Sequence, residues 1–374
     1  MNVDAQLVTT NPVLGIFIFA LGGLAGAVFY LPFKKVTNWA WESYWFVYAI
    51  VGLVVVPFAI AFTTSPNVIA VLKAAPQGEI AKCYLCGALW GVGGLTWGLM
   101  IRYLGVGLGL AIGCGLCSAA GTLIPPIIKG EFSKLTADPS GICSLIGVGV
   151  SLVGIVAVGL AGMSKEKELP EVEKKKAVAE FDFKKGIMVA TFSGLASAGM
   201  NFGLSGGPTI ESLAATTAPF TSPAWRGMPV LVVVLLGGFT INALWCLFLN
   251  VKNKTTGDYL KSGAPIMSNI MFAGIAGAIW CSQFICFKTG EPAMGKTAYV
   301  GWAVLMACAI LFGTLLGVFM GEWKGTGAKT RGLLTTGLAL LVLSAVLAGY
   351  SGKLGQEKVS LSADAPAAVS AVAP

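Results

Sequence analysis

The sequence predicts an all-α polytopic membrane protein whose ten transmembrane helices form two inverted five-helix repeats. Composition is the first ground: of 374 residues, 56% are apolar, 11% are charged and 50 are glycine, and the mean hydropathy is +0.80. No ordinary soluble domain has that balance. Length is the second ground. A hydrocarbon core about 30 Å thick takes about 20 apolar residues per helical crossing, and the chain holds ten such stretches. The third is a set of short strings that recur, in order, in matching stretches of the two halves.

The first stretch, residues 13–31, reads as an uncleaved helix. No basic residue precedes it and Lys34 and Lys35 follow it, the reverse of a secretory signal's charge order, although Ala25-Gly-Ala27 resembles a cleavage site. The second, 44–63, contains Pro57 and is expected to kink there. The third and fourth, 83–101 and 105–127, lie so close in the chain that they form a hairpin turning near Tyr103, and Pro125-Pro126 marks a break near the end of the fourth. The fifth, 142–162, completes a first repeat covering residues 1–162. Residues 163–185 mix seven lysines with six acids and read as a charged cytoplasmic linker. The second repeat, 186–350, holds stretches 186–206, 228–250, 265–287, 297–320 and 332–350. Residues 351–374, rich in Ala, Ser and Val, read as a flexible tail.

The repeat rests on three strings. Gly23-Leu-Ala-Gly-Ala27 in the first stretch matches Gly194-Leu-Ala-Ser-Ala198 in the sixth. Gly87-Ala-Leu-Trp90 in the third matches Gly277-Ala-Ile-Trp280 in the eighth. Gly121-Thr-Leu123 followed by Gly130-Glu-Phe132 matches Gly313-Thr-Leu315 followed by Gly321-Glu-Trp323. A unit of five crossings is odd, so its second copy enters the bilayer from the opposite side, the arrangement many secondary transporters use for alternating access around a midplane site.

Lys and Arg number sixteen in the connections after the odd-numbered stretches and nine elsewhere. The positive-inside rule then makes the odd connections cytoplasmic and both termini periplasmic. The formal net charge of +8 follows from these basic loops and gives no reason to expect nucleic acid.

Histidine is absent, which excludes membrane zinc proteases, b-type cytochromes, di-iron desaturases and Ser/His proteases. All 25 basic and 17 acidic residues lie outside the ten stretches, so neither an aspartyl protease pair nor a retinal lysine is available. No enzyme, cofactor or metal is expected. Cys83-Tyr-Leu-Cys86 and Cys114-Gly-Leu-Cys117 resemble half-sites for zinc. A hairpin at Tyr103 would set Cys114 opposite residue 92, about 15 Å along the axis from Cys83, and the other cysteines show no disulfide framework.

With no charge inside the stretches, the expected cargo is neutral, because an ion would be met by a buried countercharge. Amides, hydroxyls and aromatics remain. Asn269, Trp280 and Gln283 share one face of the eighth helix, within about 60° at 100° per residue. Trp90 shares a face with Trp97 on the third helix, with Thr96 on its flank. Asn201 and Asn242 add amides on the sixth and seventh stretches. Rings that stack on C–H faces, beside amides that bond hydroxyls in a plane, suit a small neutral sugar; amides between helices also serve as glue, at about 0.6 kcal/mol each. Tyr30, Tyr299 and Trp302 are further candidates, while Trp39, Trp41, Tyr44 and Trp45 read as an interfacial aromatic belt.

The residues also carry a family resemblance. Phe29-Tyr-Leu-Pro-Phe-Lys-Lys-Val36 with Trp39-Ala-Trp-Glu42, then Gly87-Ala-Leu-Trp-Gly91, Arg102-Tyr-Leu-Gly105 and Gly121-Thr-Leu with Pro126-Ile-Ile128, resemble the bacterial L-rhamnose/proton symporters of the drug/metabolite transporter superfamily. Trp280 with Gln283, and Glu322-Trp323, fall where that family has similar residues. The resemblance implies ten helices in two inverted repeats, in the bacterial inner membrane, importing L-rhamnose or a related deoxyhexose with a proton. Residues 206–226 and 288–296 look unlike the enterobacterial members.

Symport needs a group that changes protonation state. Glu42, at the head of the second helix beside Trp39 and Trp41, is the first candidate, and pairing with Lys34 or Lys35 is the alternative role for it. Glu211 is the second, with Glu131 and Glu322 behind it; Arg102, in the tight turn, reads as an anchor for headgroups or a helix end. Coupling to sodium, a monomer or a weak homodimer, an exporter of neutral metabolites or drugs, and a membrane sensor that binds without moving solute are the other readings left open.

Overall fold

The computed structural model describes residues 11–168, 182–260, 263–321 and 323–363, and their regular structure is helical throughout. Seven stretches among them are long and apolar enough to cross a membrane: Pro12–Lys35, Trp41–Thr64, Pro139–Glu168, Lys184–Thr216, Pro223–Lys252, Ile266–Phe319 and Ala328–Gly355. The side chain of Arg102, residue Glu322 and most of the charged linker lie outside the described residues.

Helix α1 (Pro12–Val28) starts with proline at its first position, where the missing N–H costs nothing, and the Asn11 side chain accepts from Leu14 N–H. Its exposed Val13, Phe17, Leu21 and Leu24 make an apolar outer stripe, while its glycines face inward. α2 (Trp41–Ile50) has no cap of its own at Ala40. A carboxylate from a distant turn replaces it: Asp258 accepts from Ala40 N–H and from Ser43 Oγ, each at 2.8 Å. The kink expected at Pro57 takes the form of a π-helical turn, Val51–Val55, before α3 (Val56–Thr64). That turn frees the carbonyl which the proline ring would otherwise strike.

After the short α4 (Val68–Ala74), α5 is assigned as one helical run, Gln77–Ile128. It nonetheless doubles back. A Cβ built on Gly113 would lie 2.8 Å from Met100 Sδ and 3.4 Å from the Trp97 ring, whereas residues that far apart in a straight helix are separated by about 20 Å. The hairpin expected near Tyr103 is therefore present, but closed by helical backbone instead of a loop. α6 (Phe132–Ala137) leads into α7 (Pro139–Glu168).

The second half begins with α8 (Phe183–Ser197), capped by Asp182 on Lys185 N–H, then α9 (Gly199–Leu204) and α10 (Pro208–Thr216). α11 (Met228–Lys252), α12 (Ile266–Met294), α13 (Gly301–Phe319) and α14 (Ala328–Ala363) follow. α12 and α13 fold against each other, with the rings of Phe284 and Trp302 6.4 Å apart. Several boundaries differ from the sequence reading: α5 begins at Gln77, before residue 83, and α7 runs to Glu168, into the segment read as a linker. α14 continues into the segment read as a flexible tail, where Ser140 Oγ donates to the Ser351 carbonyl at 2.6 Å and Gly352 packs on Pro12. α12 runs past Phe287 to Met294 and so carries Lys288 and Glu291, both taken as lying beyond the helix.

The strings shared by the halves sit in matching contacts. Gly23 of α1 packs on Cys308 of α13, and Gly194 of α8 packs on Leu116 in the returning limb of α5. A Cβ on Gly26 would lie 2.7 Å from Gln283 Oε1, and one on Gly93 would lie 2.7 Å from Ser197 N. Gly87 meets the Val234 carbonyl of α11, and Gly277 meets the Tyr48 carbonyl of α2. At Gly23, Gly194, Gly93, Gly87 and Gly277 the small residue lets two backbones touch, and at Gly26 it makes room for the Gln283 side chain.

Candidate functional site

A cavity of about 500 Å³ lies at one end of the bundle. It is walled by the end of α5, by α9 and α10, by the turn Pro223–Trp225 and by the second half of α12. That size suits a small solute with part of its hydration.

Lys288 organises one wall. Its side chain is 3% exposed, and its ammonium reaches three acceptors on three elements. These are the Leu204 carbonyl at the end of α9 (3.3 Å), Glu211 Oε1 on α10 (2.6 Å) and Glu291 Oε2 one turn along α12. An ammonium has three N–H donors, so each has a destination. Gly227, just before α11, is glycine because the Lys288 stem lies across it and a Cβ would overlap Cε. Losing one partner of such a buried ion pair costs about 3–5 kcal/mol, because the other charge is stranded.

Other lining residues are polar but neutral. Asn201 donates from Nδ2 to the Gly121 carbonyl at 2.6 Å and accepts from Ser205 Oγ at 3.4 Å. Thr122, one residue further along α5, is 1% exposed, and its hydroxyl has no hydrogen-bond partner among the described residues. Nε of the charged Arg226 is in the same condition. Such groups are expensive to bury unsatisfied, at about 1–3 kcal/mol each, and both line the cavity. Each of these atoms sits just behind the cavity surface, so a hydroxyl-rich molecule reaches it only as the lining shifts on binding.

Of the residues singled out by sequence, Asn201, Glu211 and Glu131 line this cavity, as does Tyr299, whose hydroxyl bonds Ser144. The others lie elsewhere. Trp90 and Trp280 stack on each other, ring centroids 5.1 Å apart and planes 28° from parallel, with Phe284 edge-on to Trp280. Gln283 is 5% exposed and packs over Gly26. Asn242 accepts from Trp45 Nε1 at 3.0 Å and donates to the Gly238 carbonyl. Asn269 is fully buried and spends both ends of its amide on the backbone of Thr37. Thr96 Oγ1 donates to the Gly93 carbonyl in its own helix, and Tyr30 lies edge-on to Phe29, 39% exposed. Trp45, read as part of the interfacial belt, is drawn inward by that bond to Asn242.

Glu42 is not paired with Lys34 or Lys35. Its Oε1 accepts from Asn253 Nδ2 at 2.9 Å and from Thr255 Oγ1 at 2.8 Å, which fastens the turn after α11 to the head of α2. The premise of spans without charge also needs correction: the Lys288 cluster is buried in the bundle, and it escaped notice because the lysine itself set the end of the eighth apolar stretch. A signal was available in Lys288 and Glu291, three apart and therefore on one helix face, directly after that stretch. Cys83 abuts Gly203 of α9, whereas Cys117 offers its carbonyl to Trp302 Nε1 at 3.2 Å; the paired cysteine motifs face different neighbours.

Comparison with known proteins gives a consistent result. The profile of the L-rhamnose-proton symport protein family matches residues 8–353. The L-rhamnose-proton symporter of Klebsiella pneumoniae (strain 342) is 32% identical over 340 residues, covering 90% of this chain and 97% of the relative. That of Mannheimia succiniciproducens is 33% identical over the same shares, and that of Escherichia coli (strain ATCC 8739) is 32% identical, again over 90% and 97%.

Proposed function

Because the chain belongs to the L-rhamnose-proton symport protein family, we propose that it imports L-rhamnose, or a related neutral deoxyhexose, together with a proton by alternating access across a bacterial inner membrane. The family match over nearly the whole chain carries this reading. The cavity supports it by its size and by the unsatisfied hydroxyl of Thr122 beside the Asn201 amide.

The accompanying architecture is ten crossings in two inverted repeats of the drug/metabolite transporter type. Three features support that count: α5 doubles back, α12 and α13 fold against each other, and the glycine contacts recur in matching pairs between halves. The cavity opens on the side of the connections after the fourth, sixth and eighth crossings, which the charge bias makes periplasmic. The described conformation is then outward-facing, with the Trp90–Trp280 stack below the cavity, near the middle of the third and eighth helices. In this reading Asn201, Thr122 and the Lys288 cluster contact the sugar; Trp90, Trp280 and Gln283 form its floor; and Asn242, Asn269, Thr96 and Tyr30 shape the helices around it. Of the two coupling candidates, Glu211 faces the cavity while Glu42 is held in a loop clasp. A monomer, or a weak homodimer, suffices, since every group invoked belongs to one chain.

The test is uptake of labelled L-rhamnose into de-energised cells expressing the protein, with external pH recorded as unlabelled sugar is added. Uptake with alkalinisation is the expected result. Uptake at constant pH would replace the proton by sodium or by facilitated diffusion, and no uptake would overturn the sugar.

A further inference from the structure

We infer that proton and sugar meet at the Lys288 ammonium: a proton taken by Glu211 releases one Lys288 N–H, and that N–H then binds a sugar hydroxyl. The inference rests on the symport reading and gives its coupling a physical form. With both carboxylates ionised, the three N–H donors of Lys288 are committed to Leu204, Glu211 and Glu291, and none is left for a ligand. The cluster then holds two negative charges against one positive. When a proton from the periplasm attaches to the Glu211 carboxylate, the cluster becomes neutral and the Glu211 acceptor weakens from a charge-assisted partner to an ordinary one. The new carboxylic O–H is a donor and the released N–H a second, side by side on the cavity wall. A hydroxyl oxygen with two lone pairs can accept from both.

Glu211 is the carboxylate that lets go, for geometric reasons. It reaches Lys288 from another element, α10, and its side chain is 34% exposed, against 19% for Glu291. Glu291 shares a helix with Lys288, three residues on, and stays as the counter-ion that keeps the buried ammonium charged. The remaining charged and titratable groups facing the cluster are spread around it. Lys129 and Glu131 come from the connection just after α5, Arg226 from the turn before α11, and Lys296 and Tyr299 from the turn after α12. At the start of α5, Glu79 accepts from Ile210 N–H, beside Glu211, and Lys82 lies over Gly206. Among the described residues Lys288 is the group that bonds both Glu211 and Glu291, so it carries the protonation of one to the other through its hydrogen bonds. Releasing Glu211 also loosens α10 from α12, which ties proton binding to the freedom of these connections to move.

Binding of proton and sugar is then mutually reinforcing, as linkage requires. Sugar affinity should weaken with rising pH, by at most about tenfold per unit for one linked proton. The experiment uses the full chain in proteoliposomes with labelled L-rhamnose, comparing counterflow, which needs no net proton movement, with accumulation driven by a pH gradient. For Glu211→Gln, counterflow slows but persists, accumulation falls to the level of equilibration, and sugar affinity no longer varies with pH. Glu211→Asp keeps a titratable group and retains accumulation. Lys288→Met lowers sugar affinity tenfold or more. Accumulation by Glu211→Gln at the wild-type ratio, or a pH-dependent affinity surviving in it, would overturn the inference. So would loss of counterflow in a Glu211→Gln protein whose thermal unfolding matches wild type. Absence of counterflow in the wild type would instead overturn the sugar reading.

Discussion

Trp90 and Trp280 lie 190 positions apart in the sequence, occupy the same place in two matching strings, and stack on each other with ring centroids 5.1 Å apart. Two equivalent residues can touch in this way where the relation between the halves passes through their contact. Around the stack, Tyr48 and Phe284 meet Trp280 edge-on, so the pair belongs to a packed aromatic layer. Trp280→Ala should therefore remove both transport and about 3–5 kcal/mol of stability. Trp280→Phe should keep most of the stability and some transport. Thermal unfolding in detergent beside uptake measurements separates the two effects; unchanged melting of the alanine variant would contradict the packing account.

Asn269 serves the fold rather than the cavity. Asn269→Ala leaves the Thr37 N–H and carbonyl without their partners, at a cost of about 1–3 kcal/mol. Sugar affinity of the surviving folded protein should stay at the wild-type value, and a titration of binding in detergent would expose any change.

Thr122 makes the opposite prediction. Its hydroxyl has no partner among the described residues, so Thr122→Val should leave the melting temperature unchanged or raise it. Sugar binding should weaken about fivefold, the equivalent of one ordinary hydrogen bond of about 1 kcal/mol. Equal affinities for the two proteins would remove Thr122 from the site.

Gly87 tests the backbone contacts. A Cβ there would overlap the Val234 carbonyl, a backbone atom that no side-chain rotation can move, so Gly87→Ala should reduce the yield of folded protein sharply. Gly78, with nothing near its Cβ position, is the control, and Gly78→Ala should behave as wild type in size-exclusion profiles.

Topology can be read by labelling single cysteines in a background lacking the nine native ones. Substitutions at Lys129 and Lys296 should react from the periplasm, and those at Lys34 and Lys254 only after permeabilisation. Labelling of all four from one side would break the inverted arrangement.

The helical bundle was legible because lipid imposes a simple rule: long apolar stretches and charge outside them. The same rule hid the site. Lys288 and Glu291 satisfy each other and Glu211 inside protein, where hydropathy sees only a charge and ends the helix. The amides misled for a related reason: Asn242 and Asn269 look free in sequence, but their partners, Trp45 and Thr37, are about 200 residues away or more. Asn201, an amide inside the sixth stretch, and Glu211, an acid in the connection after it, stand out by residue type alone, and both line the cavity. Nothing in the spacing pointed to Thr122, whose importance lies in a partner it lacks.

The matched glycine contacts have a consequence for the energy difference between the two facing states. On the proposed inverted-repeat reading, Gly23 against Cys308 and Gly194 against Leu116 are the same joint, built once in each half. In alternating access the halves exchange roles, so a joint that opens on one side of the cycle corresponds to a joint that closes on the other. A bulky residue at Gly23 should then tilt the resting population one way and the same residue at Gly194 should tilt it the other. With both in place the populations should return toward parity while the barrier between them stays high, leaving a transporter balanced in its two states and slow to pass from one to the other.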